Sequence, residues 1–121
     1  MVFLDSNTII YLSKELINVD DVFTDEEEDY AISVITYMEV LGYPFKSKEE
    51  EDFIKKIISF LTIIYIDKQI SNKVIELKKI HKVKLPDAII CASAIVNQAL
   101  LLTNDIRLKN ITNLKLKIIK V

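Results

Sequence analysis

Glycine is almost missing from the 121 residues; Gly42 is the only one. A Walker A loop, a G-x-G-x-x-G fingerprint and a G-x-S-x-G nucleophile elbow each need at least two glycines, so all three are excluded. Two prolines and no tryptophan remove collagen-like, linker-rich and low-complexity readings. Cys91 is the single cysteine, so no intrachain disulfide or CxxC pair is available, and a cytoplasmic protein is expected. His81 is the single histidine, which excludes an H-E-x-x-H zinc site or a multi-histidine cage. The longest uncharged run, Ala88 to Asn104, falls short of the about 20 apolar residues that span a bilayer. Asp5 interrupts the first apolar run before a signal-peptide core forms, so neither membrane nor export is expected.

What remains is rich in apolar residues (50%) and charge (28%), at a length that suits one domain over residues 1–121. A chain this long buries roughly two-thirds of its unfolded surface without a metal or disulfide staple. Net charge is only −2, yet the halves differ: residues 1–54 carry −11 and residues 55–121 carry +9. A basic half suits a polyanionic partner if the segregation survives folding.

Short apolar runs alternate with helical patterns. Val2–Leu4, Ala31–Ser33, Thr62–Ile66 and Leu100–Thr103 read as buried strands, and Leu116–Val121 as a last, edge-like strand. Helices are predicted after Asp5-Ser6-Asn7-Thr8, from Val34 to Leu41, after the Ser47-x-x-Glu50 capping box, after Asp67, and from Pro86 onward. Ile54, Ile57, Ile58 and Leu61 recur at i, i+3, i+4 and i+7, one buried helical face. The acidic stretch 20–29 reads as a solvated loop or a short helix capped by Thr24 with Glu27. Strands separated by helices predict a three-layer α/β/α sandwich around a parallel sheet of four to five strands.

Ligands of open α/β sheets bind beyond the carboxyl ends of the strands. Asp5 follows the first strand, Glu39 lies two helical turns after the second, Asp87 opens the small-residue helix, and Asp105 follows the fourth strand. Each has a structural alternative as a cap, turn or exposed helix residue, but four acids at one edge need a common explanation. Clustered carboxylates stay ionised only beside a compensating cation. All-oxygen ligation favours Mg²⁺ or Mn²⁺ over Zn²⁺, and such ions support phosphodiester cleavage.

Four segments resemble the ordered motifs of PIN-domain nucleases of the VapC type, toxins of type II toxin–antitoxin pairs. They are Val2-Phe3-Leu4-Asp5-Ser6-Asn7, Ile32 to Glu39, Leu85-Pro86-Asp87-Ala88-Ile89-Ile90, and Leu102-Thr103-Asn104-Asp105. The resemblance covers essentially the whole chain. It implies a Mg²⁺-dependent ribonuclease, with Mn²⁺ a substitute and Asp5, Glu39, Asp87 and Asp105 as catalytic metal ligands. Asn7 and Thr103 would orient those ligands. It further implies a homodimer and a VapB-like antitoxin laid across a hydrophobic groove. One departure is visible: many relatives carry a further acid after the fourth motif, where this chain has Ile106-Arg107-Leu108-Lys109. The sole arginine, Arg107, is thereby a candidate RNA phosphate contact.

Other residues read more simply. His81 suits a surface helix end, Cys91 an inert core thiol, and Asp67 an N-cap. Tyr11, Tyr37, Tyr43 and Tyr65 suit partial burial, although tyrosines also stack bases. Lys73, Lys78, Lys79, Lys82 and Lys84 form either a solvated face or a phosphate rail. A receiver-type phosphoacceptor domain is the alternative enzyme class, with Asp67 as acceptor, but Asp5 lacks the adjacent acid that class needs. A D-x-D-x-T phosphatase would need an acid where Asn7 stands. A non-catalytic PIN-like binding module would keep the acids only for folding.

Overall fold

A computed structural model describes residues 1–121. Five strands, β1 (Val2–Leu4), β2 (Tyr30–Ser33), β3 (Thr62–Ile64), β4 (Leu100–Thr103) and β5 (Lys115–Ile118), pair in parallel in the order β3-β2-β1-β4-β5. Six helices join them: α1 (Ser6–Ser13), α2 (Val19–Val22), α3 (Val34–Leu41), α4 (Lys48–Ser59), α5 (Lys68–Ile80) and α6 (Leu85–Val96). A 3-10 turn, Ile106–Asn110, precedes β5.

The apolar strands follow from burial on both faces. Phe3 is in register with Ala31 and Leu101, and all three join one core with Ile70, Val74 and Leu77 of α5 and the small residues of α6. One position on, Leu4, Ile32 and Leu102 face the other core, with Ile9 and Leu12 of α1 and Ile54, Ile57 and Ile58 of α4. Successive side chains alternate faces, so consecutive apolar residues feed two cores. The three-layer arrangement expected from the sequence is the one found.

Capping residues set the helix starts. Ser47 Oγ accepts from Glu50 N at 3.1 Å and Asp67 Oδ1 from Ile70 N at 2.8 Å, which makes Asp67 an N-cap. The capping box is half formed: the Glu50 carboxylate accepts from Ser13 Oγ (3.2 Å), tying α4 to α1 rather than closing on its own cap. Gly42 caps α3 where a Cβ would stand 2.9 Å from the Met38 carbonyl oxygen, too close for any other residue without a backbone shift.

Besides one-residue shifts at the starts of β2 and α6, boundaries differ from the sequence expectation in three places. β3 stops at Ile64, because its partner β2 ends at Ser33, leaving Tyr65 and Ile66 exposed beyond the sheet. β5 spans Lys115–Ile118, since the pairing with β4 ends at Thr103–Ile118. In the acidic stretch the helix is Val19–Val22, before Thr24; residues beyond it form a turn in which Asp25 Oδ1 accepts from Glu27 N.

The strand order places the site. The chain runs outward from β1 to β2 and β3, then returns to the other side of β1 for β4 and β5. The carboxyl ends of β1 and β4 therefore flank a topological switch point.

Candidate metal centre

Asp5 leaves β1 directly at that switch point and is buried. Its Oδ1 accepts from Thr8 N (2.9 Å) and Thr8 Oγ1 (2.6 Å), so the carboxylate is also the N-cap of α1. Its Oδ2 accepts from Thr103 Oγ1 at the end of β4. Thr103 Oγ1 in turn accepts from Asp105 N at 3.1 Å. One buried hydroxyl thus couples the acids that follow β1 and β4.

Glu39 is exposed on α3, where Ser6, the first residue of α1, donates to its Oε1 at 2.6 Å. Thr36 Oγ1 lies 3.1 Å from the same hydroxyl. Ser6 has one proton and gives it to Glu39, so Thr36 serves as donor to Ser6. Asp87 lies in the first turn of α6, where the helix N-terminus favours negative charge. Even so, burial raises its carboxyl above the ordinary value, and the charges of Asp105, Asp5 and Glu39 raise it further against the opposing pull of Arg107. One turn along α6, burial pushes the Cys91 thiol up to about 12, with Asp87, Asp5 and Asp105 adding to the effect. Cys91 is an inert thiol beneath the acidic edge.

Asp105 is the one acid with a cation. Arg107 donates from Nε to Oδ1 (2.9 Å), from Nη2 to Oδ2 (2.7 Å) and from its backbone N to Oδ1 (3.0 Å). This fork holds the Asp105 carboxyl below its ordinary range. None of Asp5, Glu39 and Asp87 has a lysine or arginine at ion-pair distance. The four acids therefore share one edge, where the charges of Asp105, Asp5 and Glu39 act on the ionisation of Asp87, although no three stand close enough to form a finished coordination shell. The donor set itself, all carboxylate and short of positive charge, fits a hard divalent cation.

Asn7 is exposed in the first turn of α1 and makes no hydrogen bond to the four acids; its neighbour Ser6 donates to Glu39. Ser6, Thr8 and Thr36 were not singled out from the sequence. Thr8 was legible as the third residue after a capping aspartate, whereas nothing local announces a Ser6–Glu39 contact. His81 ends α5 and its Nε2 pairs with Thr112 Oγ1 at 3.2 Å. Lys78 Nζ is engaged by the Val83 carbonyl (2.7 Å) and Lys73 by Glu76 (2.9 Å), while Lys79, Lys82 and Lys84 are exposed. Tyr11, Tyr37 and Tyr43 are partly buried and Tyr65 is exposed. No helix is long and apolar enough to cross a membrane.

The sequence profile of the PIN domain matches residues 2–114, and the chain belongs to that family, whose members are generally nucleases. Within it the chain is VapC-like. A chain of VapBC2 from Rickettsia felis, solved bound to a DNA fragment from its promoter, aligns with a TM-score of 0.80 at 25% identity, over 97% of this chain and 98% of that one. A toxin–antitoxin complex from Klebsiella pneumoniae aligns at 30% identity and a TM-score of 0.74, over 94% and 95%. DNA-bound VapBC from Salmonella typhimurium shares the fold, with a TM-score of 0.82 at 23% identity over 96% of both chains. No curated protein sequence matches the chain.

Proposed function

We propose that this chain is a Mg²⁺-dependent endoribonuclease, the toxin of a toxin–antitoxin pair, in which Asp5, Glu39, Asp87 and Asp105 hold the metal and Mn²⁺ can substitute. The observation that carries the reading is the set of four carboxylates at one sheet edge, with a single cation among them. A bound divalent ion would supply Lewis acidity toward the phosphodiester and an activated water. Thr8 and Thr103 hold the Asp5 carboxylate in one orientation, and Ser6 does the same for Glu39. Only the ionised form of Asp87 can serve as a ligand, and burial holds its proton more tightly than usual, so an ion and a proton compete for it. Arg107 stands beside this edge as the candidate phosphate contact.

A VapB-like antitoxin, a homodimer and a cytoplasmic setting belong to the same reading and rest on the family resemblance. For the antitoxin a surface feature adds support. A groove of about 560 Å³ between α2 and α4 is lined by Val19, Phe23, Tyr30, Phe53, Ile57 and Phe60, with three acids, Asp25, Glu26 and Glu28, against one base, Lys56. Phe60 is 77% exposed there. An amphipathic segment with basic flanks would cover the aromatics and neutralise the acids.

The test is cleavage of single-stranded RNA oligonucleotides by the purified chain with Mg²⁺, with Mn²⁺ and with EDTA. Cleavage that depends on the ion and disappears in Asp5→Asn is expected. Cleavage that survives both EDTA and the substitution overturns the metal-centre reading; its absence under every condition leaves the non-catalytic binding module as the correct one.

A further inference from the structure

Arg107 makes three hydrogen bonds to Asp105, from Nε, Nη2 and its own backbone N–H, between 2.7 and 3.0 Å. Together they serve both carboxylate oxygens, the same atoms a metal ion needs. Both partners sit at the start of the 3-10 turn, so the fork is closed by local geometry and needs no distant element to hold it. The Asp105 side chain is 21% exposed and that of Arg107 is 78% exposed, so water can replace either partner when the pair opens. Across the same edge Asp5, Glu39 and Asp87 have no such partner.

We infer that Arg107 is a built-in counter-cation: it occupies the Asp105 carboxylate while the site holds no ion, and must release it before a divalent ion can use that carboxylate. The released guanidinium is then a second positive group, beside the ion, for the incoming phosphate, in a fork geometry that suits two phosphate oxygens. This rests on the metal-centre reading and adds to it a cost of ion binding set by one residue. An exposed ion pair is a weak barrier, so the exchange tunes affinity without abolishing it.

Arg107 is the only arginine of the chain, which makes the exchange directly visible. Its Nε–Hε group gives a single ¹H–¹⁵N resonance, expected to be protected in the ion-free protein and to shift and exchange faster with solvent as Mg²⁺ is added without RNA. Mn²⁺ affinity, read from the loss of free-ion EPR signal, is expected to rise about two- to fivefold in Arg107→Ala. Arg107→Lys keeps the charge but loses the fork, and a rise there too assigns the effect to the fork. Equal affinity in wild type and Arg107→Ala overturns the inference while leaving the metal centre standing. A rise confined to Arg107→Ala, with Arg107→Lys at the wild-type value, also overturns the exchange and reduces Arg107 to a field effect. Failure of wild type and both variants to bind Mn²⁺ overturns the metal centre, and this inference with it. Because the Arg107 side chain is solvent-exposed, all three proteins are expected to share one folded state, checked by circular dichroism.

Discussion

On the β1–β4 side of the acidic edge every carboxylate oxygen has a protein donor; on the α3–α6 side three of four have none. Asp5 is held by Thr8 and Thr103, and Asp105 by Arg107. Glu39 has one oxygen served, by Ser6, and Asp87 has neither. The ionisation of the two half-buried aspartates follows: donation by Arg107 lowers Asp105, whereas burial and like charge raise Asp87. A carboxylate surrounded by donors has its position fixed in advance, and one without them gains most from an arriving cation. In the proposed metal centre the first side would supply geometry and the second affinity.

The largest effect expected from breaking this contrast is on catalysis and stability together. Asp5→Ala and Asp87→Asn should each lower RNA cleavage by at least about a hundredfold, beyond the loss usual for residues that only support metal ligands. Their stabilities should diverge. Asp5→Ala removes a cap and orphans the Thr8 and Thr103 hydroxyls, costing about 2 kcal/mol or more. Asp87→Asn, relieved of a partly buried charge, should melt no lower than wild type at pH 7 without Mg²⁺. Equal destabilisation of the two in urea titrations would erase the distinction.

Thr103→Val tests the donor-rich side. It strips Asp5 Oδ2 of its donor and the Asp105 N–H of its acceptor, so a loss of about 1–3 kcal/mol is expected, with Thr103→Ser recovering most of it. Ser6→Ala tests the sparse side, where about tenfold lower cleavage is expected with little change in melting temperature, because Glu39 is exposed and can be served by water.

The smallest effect is one of pH. Asp87 holds its proton more tightly folded than unfolded, so in the ion-free protein its ionisation subtracts stability as pH rises through the raised value. Asp105 runs the other way, contributing stability above the ordinary carboxylate range that is lost as pH falls through its lowered value. Mg²⁺ favours the ionised form of Asp87, so the rise in melting temperature on adding Mg²⁺ should be greater at pH 8 than at pH 5. A gain independent of pH would place Asp87 outside the ion's influence.

Much of this architecture was legible in one dimension. Val2–Leu4 and Leu100–Thr103 announce strands because burial on both faces demands unbroken apolar runs. Ser47 and Asp67 announce helix starts because their oxygens satisfy free N–H groups within three residues. Asp5 and Asp105 reach the edge because they follow parallel strands, whereas Glu39 and Asp87 reach it from helices α3 and α6. Less legible were β3, whose length depends on where β2 stops pairing, and Glu50, which turns to Ser13 on another helix instead of its own cap.

By itself the sequence determined the alternation of strands and helices, the capped helix starts and the acids at strand and helix ends, since all of these depend on neighbours a few residues apart. Only the tertiary structure decided that Ser6 and not Asn7 reaches Glu39 across 33 positions, and that Thr103 closes on Asp5 across 98. Those contacts depend on strand order and on the rotation of α1 about its axis, which packing against two cores sets and no local spacing encodes.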